Sequence, residues 1–148
     1  MTLKARINDD MKAAMRGGDK VGLVTIRMLM AAIKQREVDE RREMADGDVL
    51  QIVEKLIKQR REAATQFAAA GRSELEAKEL DEARQLGEYL PAQLGEAEIA
   101  TLIATAIASS GASGIKDMGK VMNALRPQIQ GRADMAAVSN LVKTRLSG

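Results

Sequence analysis

The chain has 148 residues, of which 45% are hydrophobic and 30% charged, and its net charge is +2. This length is sufficient for one ordinary domain or two small lobes, and the composition predicts a soluble folded protein. Cysteine and histidine are both absent, which excludes disulfide bonds, thiol nucleophiles and metal sites built from these residues. No apolar run has the length of a membrane span and the N-terminus is charged, so we expect a cytoplasmic protein without membrane contact.

Helical periodicity runs through residues 1–90, where no segment shows the alternation of a β-strand. Apolar stripes over residues 3–15 and 49–67 predict two amphipathic helices. Residues 21–33 are apolar nearly all round, which is typical of a helix packed on several sides. Ser73 and Glu76 have the spacing of a capping box and predict the start of a further helix.

Pro91 interrupts this pattern, because proline blocks helix continuation and favours an extended backbone at the residue before it. Beyond it, apolar residues at helical spacing predict three short helices, over residues 99–107, 118–125 and 138–146. Pro127 is expected to end the second of these helices. Three helices of this length can form a small bundle of their own.

We therefore predict an all-α fold in which an N-terminal helical lobe packs on a small C-terminal three-helix lobe. The lobes are expected to span residues 1–90 and 91–148 and to form one unit together. Residues 1–90 carry 17 basic and 17 acidic side chains, whereas residues 99–148 carry 6 basic and 2 acidic ones, a balance of +4. The C-terminal lobe is therefore the end suited to an anionic partner.

Two side chains stand out from their surroundings. Arg27 shares a helix face with Ile26 and Met30, so we expect it to be partly buried and paired with a carboxylate. Tyr89 is the only tyrosine, and its position beside Pro91 predicts an aromatic wedge between the two lobes. Two aromatic residues cannot hold single-stranded nucleic acid by serial base stacking, so an RNA partner should be folded and bound through its backbone and shape.

The chain has few residues suited to catalysis. Without histidine or cysteine, the commonest pairs of nucleophile and base cannot form. The pair Gly17-Gly18 follows a helix and lacks the Lys-Ser or Lys-Thr of a phosphate loop. The acidic run over residues 74–82 lacks the spacing of a calcium loop and is typical of a solvated helix face. We therefore predict no catalytic residue, no metal site and no cofactor.

Three short motifs lie in the second half of the chain. They are Tyr-Leu-Pro-Ala-Gln-Leu at 89–94, Lys-Asp-Met-Gly-Lys-Val-Met at 116–122 and Gly-Arg-Ala-Asp at 131–134. Gly119 in the second motif lowers helix propensity by roughly 1 kcal/mol, which predicts the close approach of another backbone or of a ligand. In this order the motifs resemble the GatB/YqeY family, free-standing proteins related to the C-terminal tail domain of the B subunit of the aspartyl/glutamyl-tRNA amidotransferase.

The resemblance covers essentially the whole chain and implies an all-helical fold in two parts. It also implies a family label of carbon-nitrogen ligase activity with glutamine as the amido-N-donor. In the amidotransferase, however, the tail domain contacts the tRNA, and phosphorylation and glutamine hydrolysis take place in other parts of the enzyme. Carried onto this sequence, the resemblance marks as RNA-binding candidates Lys116, Gly119, Lys120, Gly131 and Arg132, with Asp117 and Asp134 as helix starters. The positive charge of the C-terminal lobe adds as secondary basic candidates Arg126, Lys143 and Arg145.

The sequence thus favours a small helical accessory protein that binds tRNA or a tRNA-bound complex through its basic C-terminal lobe, without a catalytic site. One alternative is glutamine-dependent amide transfer to a carboxylate, by the chain alone or as an accessory subunit. The absence of a nucleophile and base pair argues against this enzyme. A further alternative is a protein-protein adaptor that uses its helical surfaces, which salt-dependent RNA binding would exclude.

Overall fold

The computed structural model describes residues 1–147. Over this range the chain forms seven α-helices and one short 3-10 helix, with no strand, which confirms the predicted all-α fold. The α-helices are α1 (Leu3–Gly17), α2 (Lys20–Glu40), α3 (Asp46–Ala69), α4 (Ser73–Gly87), α5 (Glu96–Ser110), α6 (Met118–Ile129) and α7 (Met135–Ser147), and the 3-10 helix Ile115–Asp117 precedes α6. The chain divides into two compact units, Met1–Leu90 and Pro91–Gly148, here called the N-terminal unit and the C-terminal unit.

The N-terminal unit is built around α3 and α4, which have the most extensive contact of any two helices. Helices α1 and α2 pack against each other and against α3. The side chains at the centre of this core are fully buried, and they include Ile7, Leu29, Val49, Val53 and Leu86. Burial of each such aliphatic side chain contributes about 1.5–3 kcal/mol to stability.

Helix α2 buries one face, and its opposite face is exposed. Its buried residues are Gly22, Thr25, Leu29 and Ile33. The prediction of a helix packed on several sides is wrong, because Val21 and Val24 are exposed although they belong to the same apolar run. Arg27 is exposed as well, and it forms no ion pair with any residue in the range 1–147, so its expected burial beside a carboxylate is also wrong.

Two helices of this unit are capped at their N-termini by a side chain. The Thr2 hydroxyl accepts a hydrogen bond from the Ala5 N–H at 3.1 Å, at the start of α1. The Asp19 carboxylate accepts one from the Gly22 N–H at 2.9 Å, at the start of α2. The capping box predicted at Ser73 is wrong, because Ser73 is already the first helical residue of α4 and the Glu76 N–H donates to the carbonyl of Arg72.

The C-terminal unit consists of the three short helices α5, α6 and α7 and the 3-10 turn. Its core contains Ile103, Val121, Leu125, Ile129, Val138 and Val142. Pro127 does not end α6, which continues to Ile129. The proline removes only one backbone donor in the last turn and lies on the exposed side, so the helix passes through it.

Candidate functional site

Two of the lysines predicted to bind RNA lie together at the start of α6. Lys116 belongs to the 3-10 turn and Lys120 to the first turn of α6, and both side chains are exposed. Asp117 Oδ1 lies 3.9 Å from Lys120 Nζ. The N–H of Ser113 lowers the pKa of the Asp117 carboxyl, and the ammonium groups of Lys120 and Lys116 lower it further. These two lysines therefore form one basic patch around a single carboxylate.

Two acidic residues, Asp117 and Asp134, lie near the predicted site. Each carboxylate accepts a hydrogen bond from a backbone N–H group. Asp117 precedes α6, but its carboxylate accepts hydrogen bonds from the N–H of Ser113 at 3.0 Å and caps no amide of α6. Asp134 accepts one from the Ala136 N–H at 3.1 Å and so begins α7, which confirms the helix start predicted there. In the described part of the C-terminal unit, Asp117 forms one long ion pair, with Lys120, and Asp134 forms none.

Gly119 lies in the first turn of α6, between the two lysines, and its surroundings are open. Apart from its chain neighbours and the backbone of its own helix, no described atom lies within 4 Å of the place where a Cβ atom of this residue would be. The predicted close approach of another backbone is therefore wrong within the described chain. Approach of a ligand to this bare stretch of backbone stays a prediction.

Gly119→Ala is expected to raise the free energy of unfolding by about 0.5–1 kcal/mol, because alanine is the better helix former and meets no clash here. Urea denaturation followed by circular dichroism measures the change. A loss of stability would reveal a packing contact at Gly119. If the more stable variant also binds tRNA more weakly, the glycine faces the ligand.

Gly131 and Arg132 connect two of the sequence motifs within the C-terminal unit. Leu94 N–H donates to the carbonyl of Arg132 at 2.8 Å, and Gln93 Nε2 donates to the carbonyl of Gly131 at 2.8 Å. Arg132 Nε donates to the carbonyl of Ala92 at 3.1 Å. Three hydrogen bonds thus hold the segment after Pro91 against the turn before α7. Gly131 and Arg132 therefore have a structural role in addition to the RNA-binding role predicted for them.

Gly131 occupies a position that favours glycine, because it is buried and its φ is 76°. Gly131→Ala is therefore expected to lower the free energy of unfolding by about 1–2 kcal/mol. The same denaturation experiment applies, with Gly119→Ala as a matched control of opposite sign. Equal stability of the Gly131→Ala variant and the wild type would contradict this account of the turn.

The secondary basic candidates are exposed on α6 and α7 and do not form one patch. Arg126 is exposed on α6 and donates to Asn123 Oδ1 at 3.0 Å. It lies six residues beyond Lys120, which places it about 120° around the helix from that lysine. Lys143 and Arg145 are both exposed on α7, but two residues apart on a helix they point in widely different directions. The structure therefore groups Lys116 and Lys120 and leaves these three residues dispersed.

Sequence patterns gave no sign of an open cavity of about 840 Å³ in the N-terminal unit, between α1, α2 and α4. The Tyr89 hydroxyl on its wall donates to Asp10 Oδ2 at 2.6 Å, and burial raises the pKa of this hydroxyl. The Arg6 guanidinium lies 4.9 Å from the centre of the Tyr89 ring and donates to the carbonyl of Glu88. Tyr89 thus ties the end of α4 to α1, and its role as a wedge between lobes stays a prediction.

The charged groups on the α4 side of this cavity are paired with one another. Arg84 Nη2 lies 2.7 Å from Asp81 Oδ1, and Arg84 Nη1 lies 3.6 Å from Glu88 Oε1. The Asp81 side chain also accepts a hydrogen bond from Gln85. Because its polar groups have partners in the protein, the cavity gives no indication of a particular ligand.

Residues 1–147 contain neither a metal-binding cluster nor a single membrane-spanning helix. No group of three His, Cys, Asp or Glu side chains there is placed to hold a metal ion. No single helix is long and apolar enough to cross a membrane. The segments Glu96–Ser110 and Ile115–Ile129 meet that criterion of length and composition only as a pair, with a bend of 94° between them.

Comparison with known proteins gives a family match over nearly the whole chain. The model of the family described as Yqey-like protein matches residues 4–146. Two curated relatives are named altered inheritance of mitochondria protein 41, mitochondrial. The protein from Eremothecium gossypii is 38% identical over 89 residues, which cover 60% of this chain and 49% of the relative. The protein from Kluyveromyces lactis is 34% identical over 86 residues, covering 57% and 46%. The matched region thus spans about half the length of these relatives.

Proposed function

The chain belongs to the YqeY-like protein family, and on this premise we propose that it is a small helical accessory protein whose C-terminal unit binds folded RNA, namely tRNA or a tRNA-bound complex. The patch formed by Lys116 and Lys120 carries the proposal. A tRNA presents its phosphate backbone as the anionic partner for such a patch. The cytoplasmic location expected from the sequence stays a prediction.

The electrostatics of the C-terminal unit support an anionic ligand. After Glu98 the only acidic residues are Asp117 and Asp134, and backbone N–H groups occupy both carboxylates. The ammonium groups of Lys116 and Lys120 are exposed, and the 3.9 Å separation of Lys120 from Asp117 leaves that lysine only loosely paired. A phosphate group could therefore bind both ammonium groups, and no close ion pair would have to break.

The aromatic content supports folded RNA rather than a single strand. The chain has two aromatic residues, Phe67 and Tyr89, and both lie in the N-terminal unit. Tyr89 is buried and its hydroxyl is bound to Asp10, so it offers no face for a base. Proteins that hold single strands without sequence preference use exposed aromatic side chains for stacking. Binding through phosphates and shape is the mode that remains for this surface.

The experiment is a titration of fluorescently labelled RNA with the full chain, followed by anisotropy at several salt concentrations. We expect folded tRNA to bind more tightly than an unstructured RNA of equal length, and both affinities to fall as salt rises. Equal affinity for the two RNAs would show diffuse charge attraction. Absence of tRNA binding at low salt would overturn the proposal and favour the adaptor function.

A further inference from the structure

The exposed face of α2 carries an apolar stripe with the spacing of a coiled-coil seam. Its apolar members are Val21, Val24, Met28, Ala31 and Val38, and Gln35 occupies the remaining position of the series. Steps of three and four residues alternate along this series, as they do between the a and d positions of a heptad repeat. The stripe extends along about 26 Å of the helix.

This stripe is largely uncovered in the structure. Val21 and Val24 are each 61% exposed and Val38 is 59% exposed, although valine side chains are usually buried. Met28 at the centre of the stripe is half-buried, and its sulfur contacts the guanidinium of Arg60. The core face of α2, which contains Leu29, lies on another side of the same helix. Of the stripe residues only Met28 packs against the core of the N-terminal unit, so most of the stripe has no partner within the described chain.

Basic residues follow one edge of the stripe at intervals of seven. These residues are Lys20, Arg27, Lys34 and Arg41, which occupy successive g positions of the heptad. Three lie within α2, and Arg41 is its C-cap. All four are exposed, and none forms an ion pair with another residue between 1 and 147. The hydrogen bond from Lys4 lowers the pKa of the Glu37 carboxyl, and the charge of Lys34 adds a smaller lowering.

The charge pattern identifies the kind of helix that fits this face. In a coiled coil the g positions pair with residues along the edge of the partner helix, and the exposed cations Lys20, Arg27 and Lys34 call for acidic side chains there. A second copy of α2 does not supply them. Antiparallel pairing would place basic g residues against basic g residues, and parallel pairing would offer at its e positions Thr25, Ala32 and Asp39, of which one is acidic.

We propose that the exposed face of α2 docks an amphipathic helix of a partner protein, with acidic residues along the edge that meets Lys20, Arg27 and Lys34. The apolar side of that helix packs on Val21, Val24 and Val38. Vesicles and RNA fit the face less well. Interfacial membrane helices use Trp, Phe or Leu, which the stripe lacks. Valine side chains cannot bind the phosphate groups of RNA. The docking face and the RNA site lie in different units of the chain.

The test uses the full chain and two synthetic peptides of about three heptads, with Val and Leu at the apolar positions. One peptide carries Glu at its e and g positions and the other carries Lys, so like charges keep each peptide from pairing with itself. We expect the Glu peptide to bind and to become helical, as seen by calorimetry and circular dichroism. The Lys peptide and a Glu peptide with scrambled apolar positions should bind at least about tenfold more weakly.

Charge reversal of the edge then tests the surface itself. The triple variant Lys20→Glu, Arg27→Glu, Lys34→Glu should lose affinity for the Glu peptide about tenfold or more and bind the Lys peptide instead. The matched control reverses three exposed charges on α3, Lys55→Glu, Lys58→Glu and Arg61→Glu, and should keep the preference for the Glu peptide. Circular dichroism of both variants checks that they are folded.

Several results would overturn the proposal. Equal binding of the Glu and Lys peptides, or unchanged Glu-peptide binding by the α2 variant, would remove the role of the basic edge. Self-association that Val24→Asp abolishes would assign the face to a second copy of the chain. Binding of the wild type to vesicles rich in phosphatidylserine, without binding to the Glu peptide, would assign it to a membrane surface.

Discussion

Leu125→Ala should lower the free energy of unfolding by about 2–5 kcal/mol and should weaken RNA binding with it. Leu125 is fully buried in the core of the C-terminal unit, and it lies on α6, the helix that also carries Lys120. The cavity left by the substitution loosens the packing of α6, and this loosening disturbs the placement of Lys120 beside Lys116. Urea denaturation and tRNA anisotropy on the same preparation measure both effects.

Leu29→Ala is the matched control in the N-terminal unit. Leu29 is also fully buried, and its truncation should lower stability by a similar amount of about 2–5 kcal/mol. At a temperature where this variant is folded, we expect its affinity for tRNA to equal that of the wild type. If the folded Leu29→Ala variant loses tRNA affinity as strongly as Leu125→Ala, the RNA site is not confined to the C-terminal unit.

The helical elements could be predicted from the sequence because their patterns are local. Apolar spacing predicted the helices that carry Ile7, Val53 and Val138, and each of these side chains is buried as the pattern requires. Asp134 was recognised as a helix start for the same reason, since its side chain binds an N–H only two residues further on. Such features depend on neighbours in sequence, and distant parts of the chain do not alter them.

The expectations that failed depended on contacts between distant residues. An apolar run does not reveal which of its sides the other helices cover, so the exposure of Val24 and Arg27 on α2 could not be predicted. The open space around Gly119 is a property of the whole C-terminal unit. The hydrogen bond that joins Gln93 to Gly131 connects residues 38 positions apart, and no local pattern predicts it.

The double substitution Lys116→Gln, Lys120→Gln should cause the largest loss of RNA affinity among surface variants. Both side chains are exposed and lie beside one carboxylate, so their removal leaves Asp117 as an unopposed negative charge. If each lysine meets one phosphate, the slope of log affinity against log salt should become shallower by about one to two. The loss should be similar for different tRNA species, because phosphate contacts carry no sequence information.

The control for this variant is Lys58→Gln, Arg61→Gln, which removes the same charge from an exposed part of α3. We expect it to change the salt slope less than the lysine pair does. Arg132→Gln is kept separate, because loss of its hydrogen bond to the Ala92 carbonyl would mix a structural effect with an electrostatic one. Equal losses in the two double variants would indicate diffuse attraction to the protein as a whole.

Lysine footprinting of the full chain with and without folded tRNA tests the proposed RNA interface most directly. An amine-acylating reagent modifies exposed lysines, and mass spectrometry reports the extent at each position. We expect tRNA to protect Lys116 and Lys120, while Lys55 and Lys58, exposed on α3, keep their reactivity. Protection of Lys55 and Lys58 with unchanged reactivity at Lys116 and Lys120 would contradict the assignment of RNA binding to the C-terminal unit.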